Sequence, residues 1–448
     1  MTTRETRGAG VELTRHFLAR FFDSEMVSTP GEWLKVAIGL FAALLSVGIL
    51  VLKTYGVRYT YDLYAHPAFS PGQLHHEWIR GDMLSFIGLA MAVTALLTLL
   101  VWQSLFPSAR DCLALAGLPI GARQIFQAKF GTLLLLFAAF VLALNLPAAV
   151  SFAAVTAGRW QENPSAPANV AANFSATAGA CVFVFFGLLA LQGILLNVLP
   201  GRLSAGVSVM VQGALFIATL GALPLLGRQP AGAAWWPPVW FLRLWEAIVT
   251  GPRAGARNAL LAMALPALIG VLAYLVSFHR YQRLLLEAPP DRGVRWTGIG
   301  SWLLERWIGD PRQQAAFAFI WKTLVRSRGH RLILLAYAGI ALGWIVDGAL
   351  DTPRPSLRDE GMYGLLVVLA PLALAMLATI GLRYVFSLPV SLSANWVFRT
   401  VDREGRAAWL AAVERFVVWC GMAPIFLASL PAAIAIFDAL VGSTPQTR

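Results

Sequence analysis

The stretch Met83-Leu-Ser-Phe-Ile-Gly-Leu-Ala-Met-Ala-Val-Thr-Ala-Leu-Leu-Thr-Leu-Leu-Val-Trp-Gln-Ser-Leu-Phe106 carries no charged side chain between Asp82 and Arg110. A helix crossing about 30 Å of hydrocarbon needs about 20 apolar residues, at about 1.5 Å of rise each. This run meets that length, and it is one of several. Over all 448 residues, 58% are hydrophobic and 13% charged, against about 25% charged in ordinary soluble domains. A soluble fold must still present polar surface to water, and this chain has too little of it. The composition therefore excludes a soluble enzyme, a disordered chain and a disulfide-stapled module, and predicts an all-α polytopic membrane protein.

Working outward from that run, charged residues divide the chain into about nine predicted spans. They are Val36–Leu52, Met83–Phe106, Phe130–Gly158, residues 174–199, Leu203–Gly227, Asn258–Phe278, Leu332–Val346, Gly361–Leu382 and Phe416–Phe437. If the N-terminus is cytoplasmic, 24 of the 35 Lys and Arg residues fall on the cytoplasmic side. That bias follows the positive-inside rule along the whole chain and accounts for the net charge of +12 without nucleic-acid binding. The first apolar run begins too late for a cleavable signal peptide, so the N-terminus is expected to be retained. Cys112, Cys181 and Cys420 are far apart and suggest neither a disulfide framework nor a zinc site.

Two segments outside the spans are amphipathic. Residues 11–27 place Leu13, Phe17, Phe21 and Phe22 at helical spacing among charges, and Arg312–Arg326 repeats the pattern just before the seventh span. Both are predicted to lie as helices in the cytoplasmic membrane surface. The inner segments after the second and eighth spans also look related. One reads Leu118-Pro119-Ile120-Gly121-Ala122-Arg123-Gln124-Ile125-Phe126. The other reads Leu388-Pro389-Val390-Ser391-Leu392-Ser393-Ala394-Asn395-Trp396-Val397-Phe398-Arg399. The expected organisation is two parallel repeats: a first six-span repeat (1–278) with its interfacial helix, a cytoplasmic linker with the second interfacial helix (279–330), and a partial second repeat of three spans (331–448).

Chemistry-bearing motifs are few. No Lys sits in a phosphate-cradling glycine loop and no His-Glu-x-x-His occurs. His75-His76-Glu77, with His66 and Asp82 nearby, is the densest ligand-capable cluster. Adjacent histidines do not give the i, i+4 geometry of a helical metal pair, so a wet outer loop without metal is expected. The intramembrane amides Asn145, Gln192, Asn197 and Gln212 are read as hydrogen-bonding glue between helices. The scarcity of intramembrane carboxylates weighs against a proton- or sodium-coupled carrier and against a membrane-embedded hydrolase. Trp235-Trp236-Pro237-Pro238-Val239-Trp240 is expected to begin a short re-entrant or surface helix, anchored by its tryptophans.

The residues Phe106-Pro107-Ser108-Ala109-Arg110-Asp111 leading to Leu118-Pro119-Ile120, and Ser387-Leu388-Pro389 leading to Ala394-Asn395-Trp396-Val397-Phe398-Arg399, carry a family resemblance. The chain resembles the permease subunits of type-2 ABC exporters, in particular a diverged bacterial group with duplicated membrane halves. The resemblance implies an interfacial helix at 11–27, a cytoplasmic coupling helix at 108–128 and re-entrant helices at 235–250. It implies ATP-driven export across the bacterial cytoplasmic membrane. ATP and Mg would be held by a separate cytoplasmic ATPase, with no enzymatic activity or cofactor in this chain and with a second permease copy as a further partner. The residues it assigns to contact with the ATPase are Arg110, Asp111, Leu118, Pro119, Arg123, Gln124 and Phe126 in the first segment. In the second they are Leu388, Pro389, Asn395, Trp396, Phe398 and Arg399. The three spans after residue 330 depart from the family's six-span halves and suggest a shortened chain. The competing expectations are a non-transporting membrane scaffold and a secondary transporter.

Overall fold

The computed structural model describes residues 12–18, 33–65, 71–106, 122–157, 165–199, 201–227, 233–251, 256–284, 308, 310–350, 360–388 and 406–442. No strand occurs among them. In chain order the helices are α1 (12–18), α2 (Trp33–Ala65), α3 (Pro71–Leu100), α4 (Ala122–Thr156), α5 (Ala166–Val198), α6 (Gly201–Gly221), α7 (Pro237–Thr250) and α8 (Ala256–Leu284). They continue as α9 (Pro311–Arg326), α10 (Arg328–Leu350), α11 (Glu360–Ser387), α12 (Arg406–Phe416) and α13 (Ala423–Gly442). Helices dominate because hydrocarbon offers no partner for backbone N–H and C=O groups, which a helix satisfies internally.

Among the described residues, seven helices are long and apolar enough to cross a membrane: Trp78–Leu100, Arg123–Thr156, Ala166–Val198, Ala256–Ser277, Arg328–Asp347, Leu369–Ser387 and Ala407–Pro431. The protein is therefore a helical, multi-pass membrane chain. The first predicted run lies inside α2, and the fifth corresponds to the shorter apolar helix Gly206–Gly221. The outer loop expected around His75–Glu77 is instead the first part of α3, which starts at Pro71. A proline at the first helical position is preorganised for that start and loses no needed donor.

The chain divides into two compact units, Met1–Gln212 with Leu225–Pro289, and Gly213–Pro224 with Pro290–Arg448. In the first unit, α5 packs against α3, α4, α7 and α8. Its small residues Ala172, Ala176 and Ala180 recur every four positions and are fully buried. Such a stripe lets backbones approach closely, which is how packing is gained where lipid is as apolar as the helices themselves. At Gly193 a side-chain methyl would fall 2.6 Å from Ala273 Cβ and 3.2 Å from Phe106 Cζ. That glycine is what lets α5 meet α8. Gly48 plays the same part where α2 crosses Pro147 of α4, 2.6 Å from its Cβ.

In the second unit, α9 packs on α12, α10 on α11, and α11 on α13. Residues 213–224, within the predicted first repeat, belong to this unit. Between α12 and α13 the chain makes a π turn, Val417–Met422, closed by Ala423 N–H bonding to Val418 O. The cause is Pro424, which has no N–H to give to residue 420, so the neighbouring bond lengthens by one residue.

Candidate functional site

Of the residues expected to meet an ATPase, Arg110, Asp111, Leu118 and Pro119 in the first segment lie outside the described residues, as do Pro389, Asn395, Trp396, Phe398 and Arg399 in the second. The others define where each segment is held. In the first unit, Arg123, Gln124 and Phe126 are not a separate helix but the opening turns of α4. Arg123 is exposed, Gln124 is half-buried and Phe126 is buried. Phe126 therefore faces the protein, and Arg123 is the member of this set open to a partner.

Tyr274 of α8 gathers the two ends of this segment. Its ring stacks on Phe106 at 5.0 Å, meets Phe126 edge-on at 5.7 Å and lies 4.7 Å from Phe130. Its hydroxyl donates to the Phe126 carbonyl at 3.3 Å. Residue 106 precedes the candidate segment and residue 126 lies near its end, so one aromatic cluster holds both places. The short helix α1 seats on the same turns of α4, burying Leu13 and Phe17 against Ile125 and Ala128. Lys129 Nζ stands 5.0 Å over the Phe17 ring, a cation–π contact. Thr132 Oγ1 donates to the Thr14 carbonyl at 3.4 Å. The apolar stripe of residues 11–27 thus meets protein over the part described, and Phe21 and Phe22 lie outside it.

In the second unit the equivalent place is built from polar groups. Leu388, where the second segment begins, accepts a hydrogen bond from His330 Nε2 at 3.2 Å. A carbonyl only accepts, so this nitrogen carries the proton. His330 Nδ1 pairs with Ser327 Oγ at 2.6 Å, and Ser327 alone separates α9 from α10. The buried imidazole ties the end of α11 to the α9–α10 corner. Helix α9 also leans on α12, through Phe317 on Phe416 at 5.1 Å and Phe319 on Trp409 at 5.9 Å.

Three of the four intramembrane amides act as helix-to-helix bonds, while Gln192 Oε1 is buried without a hydrogen-bond partner. Gln212 Nε2 donates to Leu99 O at 2.7 Å, and Asn197 Nδ2 reaches Ala273 O and Ser277 Oγ across to α8. Asn145 Nδ2 points at Cys181 Sγ, 3.5 Å away. A further ladder went unread in the sequence: Asn169, Asn173, Thr177 and Cys181, one per turn of α5. Trp245 of α7 donates to Asn173 Oδ1 at 2.6 Å, and Asn169 Nδ2 donates to Thr156 Oγ1 at 3.0 Å. Asn145, Asn173 and Thr177 line a cavity of about 30 Å³ beside Met83, Phe86 and Phe152, room for about two waters. The signal was the i, i+4 polar spacing; beginning the predicted span at 174 cut the ladder in two.

The tryptophan-rich segment forms α7, capped at its start by Pro237 and Pro238. Trp235 is 63% exposed, whereas Trp245 is buried as the Asn173 partner. At that end of the first unit, Arg80 Nε pairs with Glu246 Oε1 at 2.6 Å, joining α3 to α7. Arg58 and Tyr59 of α2 both engage Asp82, at 2.8 and 2.6 Å. Burial and the Asp82 carboxylate push the Tyr59 phenol well above its usual range. Among the described residues, no three His, Cys, Asp or Glu side chains group to hold a metal ion. Comparison of the chain with protein-family models, curated proteins and solved structures returns no match.

Proposed function

We propose that this chain is the membrane-spanning subunit of a type-2 ABC exporter, moved by a separate cytoplasmic ATPase that binds ATP and Mg. In this reading it spans the bacterial cytoplasmic membrane nine times from a cytoplasmic N-terminus. Its two units are parallel repeats, the second carrying three spans, and a second permease copy would complete the assembly. One observation carries the reading. In each unit an amphipathic helix (α1 or α9) precedes the first long helix and docks on the third (α4 or α12), at the end of the candidate coupling segment or shortly past it. A segment so clamped transmits a push from a partner into the adjoining spans instead of yielding to it. Arg123, exposed at the end of one segment, and Arg399 and Trp396 in the other, are the side chains offered to that partner; Arg and Trp are favoured interface anchors.

The test is purification of the tagged full chain from native membranes in mild detergent. A companion protein bearing a phosphate-binding loop should co-purify with it. Arg123→Glu together with Trp396→Ala should reduce that recovery at least tenfold while leaving the membrane protein folded. Recovery of no nucleotide-hydrolysing companion, or equal recovery with the double variant, overturns the proposal.

A further inference from the structure

Helix α9 has two unlike faces. Ala316, Ile320 and Leu324, four residues apart, are buried. The exposed side carries Arg312, Phe319, Lys322 and Arg326, with Trp321 and Val325 flanking. Phe319 is 44% exposed, Trp321 38% and Val325 50%. Beside it, α12 exposes Trp409, Leu410 and Arg415, and the Phe319 and Trp409 rings join the two helices edge-on. Among the described residues, the acids near this surface are Asp310, whose carboxylate caps α9 through Arg312 N at 3.0 Å, and Glu414.

The position of this surface follows from continuity. Ser327 is the only residue between α9 and the spanning helix α10, and α12 runs through the π turn into the apolar stretch ending at Pro431. Both helices therefore stand where a span leaves the hydrocarbon. Exposed aromatic rings interleaved with cations at that depth match the layered chemistry of a leaflet surface, glycerol and carbonyls beneath and phosphates above. Among the described residues, four exposed cations against two carboxylates leave this surface net positive, which selects for net negative headgroups over zwitterionic ones.

We propose that the paired faces of α9 and α12 form a binding surface for anionic phospholipid headgroups, with Arg312, Lys322 and Arg326 on the phosphates and Phe319, Trp321 and Trp409 in the glycerol layer. This assignment rests on the spanning helices alone and holds whatever the chain transports. The experiment reconstitutes the full-length protein into vesicles of equal parts phosphatidylcholine and phosphatidylglycerol, extracts it gently and counts retained lipids by native mass spectrometry. Phosphatidylglycerol should be retained in preference, and less so at high salt. Each cation neutralised should weaken retention about fivefold, so Arg312→Gln, Lys322→Gln and Arg326→Gln together should weaken it roughly a hundredfold. Lys322→Arg should retain the lipid as well as the unaltered chain, which separates lost charge from lost fold. Equal retention of both lipids by the unaltered protein overturns the proposal, as does undiminished phosphatidylglycerol on the triple variant. Capture of a soluble acidic protein by this face, with no lipid preference, overturns it too.

Discussion

The first unit holds Phe106 and Phe126 with an aromatic cluster buried among helices; the second holds Leu388 with a histidine and two hydrogen bonds. Tyr274 is 5% exposed and touches three phenylalanines, one before the segment, one near its end and one a turn further on. His330 is as well buried but holds its segment through Leu388 O and Ser327 Oγ. Aromatic packing resists displacement over a wide area, whereas a pair of directional bonds lets go once its geometry is lost. The hold on Leu388 is therefore the easier of the two to release.

Tyr274→Ala should break that contrast most severely. Removing a buried aromatic side chain costs about 3–5 kcal/mol through lost transfer and the cavity left behind. Heat- or SDS-induced unfolding of the purified protein should show it, and protease cleavage should increase near residues 106 and 126. Tyr274→Phe keeps the rings and loses one hydrogen bond to a carbonyl, and should cost about 1 kcal/mol. Equal losses from both variants would mean that the hydroxyl, not the stacking, holds the segment. Gly193→Ala should follow, at about 1–3 kcal/mol, because its methyl would meet both Ala273 and the Phe106 ring of that cluster.

The intramembrane ladder predicts the next effect. Asn173→Leu removes the Oδ1 that accepts the Trp245 N–H at 2.6 Å. In water-free surroundings such losses run from about 0.6 to about 1.7 kcal/mol. The change should also release α7, so protease sensitivity around residues 233–251 should rise while the second unit's unfolding stays unchanged. A matching change in the second unit would show that the two do not melt separately.

These effects separate what the sequence made legible from what it hid. The long uncharged runs needed only counting, because the length of hydrocarbon to be crossed is fixed; the amphipathic stretches before residues 33 and 328 were visible as helical stripes. Pro71 could have been read as a helix start, yet the His75-His76-Glu77 charges drew that segment toward a loop. Tyr274 and His330 could not be found from spacing. Their partners lie 148 and 58 residues away, and nothing local marks a tyrosine in an apolar run as the meeting point of three rings. Trp245 was read with its neighbours as an interfacial anchor because tryptophans favour that depth; its burial follows from one acceptor, Asn173, on another helix.

His330→Ala offers a smaller and more local test of the weaker fastening. The variant leaves the Leu388 carbonyl without its donor and the α9–α10 corner without its tie. Its global cost should be about 1 kcal/mol, while amide exchange over residues 384–388 should accelerate by roughly the fivefold that such a loss implies. No change there, with global unfolding shifted, would place His330 among ordinary core residues.

The smallest effect expected is a pH dependence in the first unit. Tyr59 donates to Asp82, and its phenol loses a proton less readily in the folded chain than in the unfolded one. The folded state therefore holds the extra proton once the solution passes the ordinary tyrosine range, about 10. Its contribution is complete below that value and declines as pH rises above it, since the unfolded state then gains by releasing a proton. Between pH 6 and about 9 the Tyr59→Phe variant should differ from the unaltered chain by a constant amount, the loss of one hydrogen bond to a carboxylate that keeps Arg58 as a partner. Above about 10 the two unfolding curves should converge, because phenylalanine has no proton to lose. Parallel curves to pH 11 would mean that Arg58, 2.8 Å from the same carboxylate, holds the end of α2 against α3 without help from Tyr59.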